Sequence, residues 1–474
     1  MLQNWFILLP EICMLSFFLV AWCVNSFRQE KTSKTFFSLA QVFLLASMAC
    51  SVLFYNKSAF PLIWQNTSFN TLFKSFAGLL AWAWFYLSSK WFLNKNRPSF
   101  KFYTICFALL FCFDILASSS SFLTLCVVFP LISLFYYLLV LQHWDTSRVE
   151  KTARLYLLCA VIFTLLLWGG TAILYHFSGV FDYASVKAFF SRQEFRRPEI
   201  LAAVLMVIAS FMFMMALVPF HNWFIGFVSS AVLPVCGFIT LVPPLIYICA
   251  FMNLMSLGLQ PFVTFAAPVL GIFAFLSVIV GALSANGEKN IRRLFAFLSV
   301  YCFGTALIGL FAFSDKAQIA SFAYIVIALL SFAGIYTVFL GMKSKGEYLS
   351  DVAEIGGLYH NRPYMSAALL VFMFSLIGLA PTLGFFGYLS IVNNLVSGGE
   401  WGAAVLLFIS LLFVAGACLQ IVRTVYFEPP ANKFDRTDKA IYICLFINML
   451  LILISLLNPA WLIHDALVIL GGIA

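Results

Sequence analysis

Charge is what this chain has least of. Only 9% of its 474 residues are Asp, Glu, Lys or Arg, and all 27 Lys and Arg fall between long apolar runs or at the ends of them. No basic side chain is therefore expected near the middle of a membrane. Hydrophobic residues make up 63% of the chain, the 18% that are aromatic included, and with a mean hydropathy of +1.02 they exclude a soluble fold of this length, which would have to show far more polar surface to water. A bilayer must be the solvent. Several chemistries are missing as well. There is no nucleotide-binding glycine pattern, no flavin site, no cysteine cluster for iron and sulfur, and no nucleophile constellation. The net charge of +9 gathers in short loops and not on one stripe, which excludes nucleic acid as a partner. The twelve cysteines form no short-spaced metal pair, and Cys106, Cys112, Cys126, Cys159, Cys236 and Cys444 lie inside apolar runs as small buried hydrophobes.

What is present is length. Apolar runs of about twenty residues, enough for a helix to cross the hydrocarbon core, lie near 5–24, 36–54, 71–89, 101–118, 120–142, 154–176 and 199–219. Others lie near 234–256, 262–285, 291–312, 316–342, 364–397, 402–426 and 440–466. These predict an all-α polytopic protein of about fourteen transmembrane helices. No basic residue precedes the first run, and Arg28, Lys31 and Lys34 follow it, which argues against a cleaved signal and places the amino terminus outside. Both termini are then outside. The Lys90, Lys95, Arg97, Lys101 loop falls inside, as do the loops carrying Arg148 to Arg154, Lys289 to Arg293, Lys343 to Arg362, and Arg423 to Lys439. The exception is the loop with Lys187, Arg192, Arg196 and Arg197, where Asp182, Glu194 and Glu199 offset the charge.

Two spans are interrupted at matching places in the two halves, ALVPFHNWFIGF at 216–227 with Pro219 and IGLAPTLGFFGYL at 377–389 with Pro381. Proline removes a backbone donor, and in a membrane such a break survives only when buried in protein or lining a polar cavity. Paired interruptions point to an ion-handling inverted repeat. Simple proline kinks give the same pattern, so position alone leaves both readings open.

Four stretches carry a family resemblance. LASSSSFLTLC at 116–126 with SLFYYLLV at 133–140, ALVPFHNW with LPVCGFITLVPP at 233–244, GALSANGEKNIRRLFAFLSV at 281–300, and NRPYMSAALLVFMFSLIGLAPTLGFFG at 361–387 with RTVYFEPP at 423–430 resemble the antiporter-like membrane subunits of respiratory complex I. LLPEI at 8–12 fits the start of the subunit N branch of bacterial NADH:quinone oxidoreductase. The resemblance implies fourteen helices with two inverted five-helix repeats and two broken helices. It divides the chain into N-terminal helices at 1–100, an antiporter-like core at 101–430 and a C-terminal helix at 431–474. It implies a bacterial inner membrane, the other membrane-arm subunits and the lipid bilayer as partners, no cofactor in this chain, and quinone, flavin and iron–sulfur clusters in partner subunits.

The resemblance also implies a row of buried charges, and these the chain lacks. The family's glutamate on helix five falls on Pro130, its lysines on helices seven, eight and twelve fall on Met214, Pro244 and Tyr388, and its helix-six lysine falls on Leu155 beside Tyr156. A lysine at the bilayer centre costs about 2.5–3.5 kcal/mol on insertion scales, so it persists only where it has work to do. Pro, Met, Leu and Tyr store no proton near neutral pH, and prolines at 130 and 244 are expected to alter their helices locally. The copy is thus expected to support the membrane arm and not to drive the relay. Two proton-path candidates remain. His221, just after Pro219, can pass protons or bond backbone groups freed by the break. Asp114, ahead of Ser118 to Ser121, can mark a wet path or serve as an interhelical hydrogen-bond partner. Glu11, beside Pro10, is expected to reach the headgroups, and Tyr156, Tyr301 and Tyr388 to pack with satisfied hydroxyls. An active subunit with a rewired path and a subunit of a multi-component cation/proton antiporter are the alternatives.

Overall fold

The computed structural model of the chain describes residues 7–27, 34–54, 57, 62–95, 99–141, 147–192, 197–310, 314–344 and 346–454. Both chain ends lie outside the described residues, and so do Arg28, Lys31, Arg97, Glu194, Arg196 and Lys345, on which part of the sidedness reading draws. Inside hydrocarbon every backbone N–H and C=O must be bonded within the protein, so long apolar runs become helices. The first half contains α1 (Leu9–Phe27), α2 (Lys34–Leu53), α3 (Ser68–Lys95), α4 (Phe100–Ala117), α5 (Phe122–Leu141), α6 (Ser147–Ser178), the short α7 (Tyr183–Ser191), α8 (Pro198–Met214), α9 (Asn222–Ser230), α10 (Leu233–Leu241) and α11 (Pro243–Asn253). A π-helical turn at Leu254–Gly258 continues α11. Then come α12 (Val263–Ala285), α13 (Ile291–Gly309), α14 (Asp315–Gly341), α15 (Leu358–Asn361), α16 (Pro363–Ile377), α17 (Leu383–Ser397), α18 (Trp401–Phe427) and α19 (Lys439–Leu453).

Among the described residues, nine stretches are long and apolar enough to cross a membrane unaided. Shorter apolar helices are α8, α16, α17, α19 and most of α1, and α3 has 28 residues but carries Asn70, Thr71 and Lys74. The described crossings match the fourteen apolar runs of the sequence. The chain is an all-α, polytopic integral membrane protein.

Its contacts divide the chain into two compact units, one of residues 1–216 with 230–268, the other of residues 217–229 with 269–474. In the first unit α1 packs on α2 and α4, α5 and α8 pack on α6, and α11 packs on α3 and α4. The indole of Trp84 on α3 donates to the Pro234 carbonyl at 2.8 Å and covers Gly237 on α10, where a side chain would collide with its ring. In the second unit α14 packs on α13, α16, α17 and α19. Loop side chains close the helix starts here: Asn290 accepts from Arg293 N at 3.1 Å and Ser314 from Ala317 N at 3.2 Å.

Candidate functional site

Both interruptions are unwound. In the second unit, α9 is preceded by a non-helical stretch after α8 stops at Met214, and Val218 N–H, freed by the break, donates to Ser277 Oγ at 2.9 Å. Ser277 passes that bond on to the Phe273 carbonyl at 2.7 Å, so the break is satisfied by protein, as hydrocarbon requires. At the other break α16 ends on Gly378, with φ of 73°, and α17 begins at Leu383. Gly378 N–H returns to the Ser375 carbonyl at 3.1 Å and Leu379 N–H to Phe374 at 3.0 Å. Pro219 and Pro381 each follow a cis peptide bond. A third interruption separates α10 from α11 at Val242, where Pro243 and Pro244 open the new helix, in keeping with the local change expected of Pro244.

The family-aligned positions carry no charge in the structure. Met214 is buried at the end of α8, Pro244 is buried at the start of α11, and Tyr388 is buried on α17. Pro130 lies within α5, which runs through it as one helix, so it alters its helix less than expected. Leu155 is exposed on α6. Aromatic rings fill the interior beside these positions in the first unit: Phe129 meets Phe211 at 4.9 Å between centroids, Phe211 meets Phe251 at 5.6 Å, and Phe163 stacks on Phe213 at 4.6 Å. Polar groups there include the phenols of Tyr247 and Tyr136, 3.0 Å apart, and Ser210, whose hydroxyl donates to the Phe163 carbonyl at 2.8 Å. In the second unit the phenols of Tyr301 and Tyr388 lie beside one another, with Thr305 and Ser410 next to Tyr301.

His221 is half-buried beside the Pro219 backbone, and its Nδ1 has no hydrogen-bond partner among the described residues. It belongs to the second unit. Asp114 belongs to the first, so each candidate has its own surroundings.

Around Asp114 the structure corrects the sequence reading twice. Lys74 was placed among basic residues at the ends of apolar runs, and Glu11 was expected among headgroups. Instead both are buried, at 3% and 5% side-chain exposure, and Lys74 Nζ donates to Glu11 Oε1 at 2.7 Å. The ring of Trp64 lies over the ammonium at 5.3 Å. Asp114, also buried, lines one cavity with Lys74, Ser47 and Ser51, and lies within electrostatic reach of both Lys74 and Glu11. α3 begins at Ser68, three residues before the apolar run does, which carries Lys74 inside the bundle. Glu11 finds it because α1 and α3 enter from the same end. A polar layer adjoins the trio: Asn253 donates to Asn70 Oδ1 and to the Ala117 carbonyl, both at 2.9 Å, next to the π-helical turn.

Comparison with known proteins agrees with this architecture. Residues 119–414 match the family described as the membrane subunit of NADH:quinone oxidoreductase and the Mrp antiporter. NADH-quinone oxidoreductase subunit N of Rhodospirillum rubrum is 26% identical over 90% of this chain and 88% of its own. A chain of respiratory complex I from Thermus thermophilus superposes with a TM-score of 0.81 at 21% identity, covering 96% of this chain and 98% of that one. A chain of the Mrp complex from Dietzia sp. gives 0.84 at 14% identity, covering 99% and 97%. The matched segment takes in both helix breaks and most of both units, and the chain therefore belongs to the NADH:quinone oxidoreductase/Mrp antiporter membrane family.

Proposed function

We propose that this chain is a membrane-arm subunit of a bacterial NADH:quinone oxidoreductase, similar to subunit N, and that it holds the arm together without carrying protons along the axis its family uses. One observation carries the second half of this reading: Pro130, Met214, Pro244 and Tyr388 stand where the relay would need charge, and the neighbouring interior of the first unit is filled by rings. A relay works by differential electrostatic interaction between two states, and such side chains supply almost none. Subunit N of Rhodospirillum rubrum, similar over 88% of its own length, supports the complex. Quinone, flavin and iron–sulfur clusters then belong to partner subunits, and the site of action is the inner membrane.

Purified with its natural partners, the chain is expected to bring down flavin and iron–sulfur subunits. Deleting it should cost the complex its assembly, whereas His221→Ala should leave protons moved per electron unchanged. A lower stoichiometry in that variant, with assembly and electron transfer intact, would restore the reading of a rewired path. The family also embraces the Mrp antiporter, and the Dietzia sp. chain shares the fold. Company of small membrane subunits alone, without redox subunits, would favour the antiporter. The charge asymmetry of the loops further places the α3 to α4 connection inside. A tag inserted there should be reached only from the inner face, and labelling from outside would invert the assignment.

A further inference from the structure

We propose that Glu11, Lys74 and Asp114 form a proton-holding site in the first unit, in which two carboxylates share one ammonium and one proton, the proton resting on whichever carboxylate Lys74 is not pairing. The argument begins with a count. There are two acids to one base: Lys74 pairs Glu11 and shares a cavity lining with Asp114, and all three side chains are buried. A carboxylate taken out of water without a partner is costly and is neutralised where a proton can reach it. Lys74 already engages Glu11 through Oε1, and Glu11 Oε2 has no partner among the described residues. Among the described residues, Asp114 is the member left without an ammonium of its own.

The cavity supplies the means of exchange. Ser47 Oγ donates to the Pro10 carbonyl at 3.2 Å and Ser51 Oγ to Met48 at 2.7 Å, which leaves the lone pairs of both hydroxyls to accept from a protonated acid. Lys74 has three donors on a four-carbon stem, so it can turn from one carboxylate to the other. When it turns to Asp114, the proton leaves the Asp114 carboxyl oxygen and ends on Glu11. No electron moves, and the trio still holds one proton.

The surroundings leave the trio to itself. Among the helices packed here, α1 and α4 contribute one carboxylate each, and α2, α5 and α11 contribute none. The next base on α3, Lys90, is sixteen residues on, about 24 Å along the helix. The other titratable groups nearby are the thiols of Cys13, Cys50 and Cys249 and the phenols of Tyr136 and Tyr247. Glu11 is in the first turn of α1, Lys74 in the second of α3 and Asp114 in the last of the antiparallel α4, so the site serves one end of the unit. It uses none of the family-aligned positions and stands whichever complex holds the chain.

An apolar carbodiimide tests this. It takes the proton of a neutral carboxyl, adds to its oxygen and rearranges to a stable acylurea, so peptide mass spectrometry reports which acid was protonated. In the purified complex, the expected adduct is at Asp114. In Glu11→Gln, Lys74 is freed to pair Asp114, and the adduct should fall about tenfold, the occupancy change that ~1.4 kcal/mol of pairing produces. In Lys74→Met, Glu11 and Asp114 should both be labelled. Should a variant fail to assemble, Glu11→Asp, which keeps the charge, should keep the adduct at 114, and the wild type alone still decides by showing or lacking it. No adduct at Asp114, an adduct indifferent to Glu11→Gln, or protection by sodium ions at constant ionic strength would each overturn the proposal, the last by making this a sodium site.

Discussion

Glu11→Gln and Asp114→Asn should be far more damaging together than apart. Alone, each leaves Lys74 a carboxylate to pair with, Asp114 in the first case and Glu11 in the second, so each is expected to cost about 1 kcal/mol, the scale of a lost hydrogen bond. Together they leave an ammonium, 3% exposed at its side chain, with no counter-charge. Removing the partner of a buried ion costs about 3–5 kcal/mol, so the pair should show a coupling of about 1–3 kcal/mol beyond the sum. Adding Lys74→Met to the double variant removes the orphaned charge and should recover most of the loss, because an apolar side chain of similar length replaces a buried ion at little cost. Thermal retention of the chain in its complex reads the series. Strict additivity of the two carboxamide changes, or a double variant as stable as the singles, would mean that Lys74 does not serve both acids.

The same trio marks where the sequence stopped being legible. The fourteen crossings could be read because the bilayer demands length, and apolar length is written directly in the residues. The breaks could be read because proline removes a donor wherever it stands, although Pro130 shows that one proline inside a well-packed helix need not interrupt it. Lys74 could not be read in that way. At the sixth residue after the helix start it looks like any basic side chain able to reach the headgroups, and what decides otherwise is Glu11, 63 residues away. A signal was available in matched depth. α1 and α3 run in the same direction, each carries one ionisable group within two turns of its start, and α4 carries one at the corresponding end. Charges of opposite sign at equal depth in neighbouring helices find each other, since the alternative is an unpaired ion in hydrocarbon.

The positions where the resemblance expects charge were legible for the opposite reason. A motif fixes register, and ALVPFHNW fixes Met214 five residues before Pro219 whatever the fold does. The sequence could not show what fills the space. Rings from Phe129, Phe163, Phe211, Phe213 and Phe251 pack against one another beside Pro130 and Met214. The interior of the first unit beside Pro130 and Met214 is thus aromatic, while Glu11, Lys74 and Asp114 are buried at one end of it.

Gly384→Ala should be among the most damaging single changes in the second unit. A methyl group built on Gly384 would lie 1.8 Å from the Ser375 carbonyl oxygen, 2.6 Å from its carbon and 2.9 Å from its Cα. All three are backbone atoms, so no side chain can swing aside. Ser375 cannot yield easily either, because its carbonyl accepts the Gly378 N–H that ends α16, and its hydroxyl accepts from Ser331 Oγ at 2.8 Å. Relieving the clash means opening the turn between α16 and α17, and with it the break at Pro381. The expected cost is about 3 kcal/mol, the upper end of overpacking in a well-packed core, seen as a loss of assembled chain at temperatures the wild type tolerates. Gly402→Ala is the control: it also lies in a helix, nothing stands within 4 Å of its added methyl, and alanine gains up to about 1 kcal/mol of helix propensity. If Gly384→Ala assembles as well as Gly402→Ala, the close approach of α17 to the end of α16 is not what holds the break open.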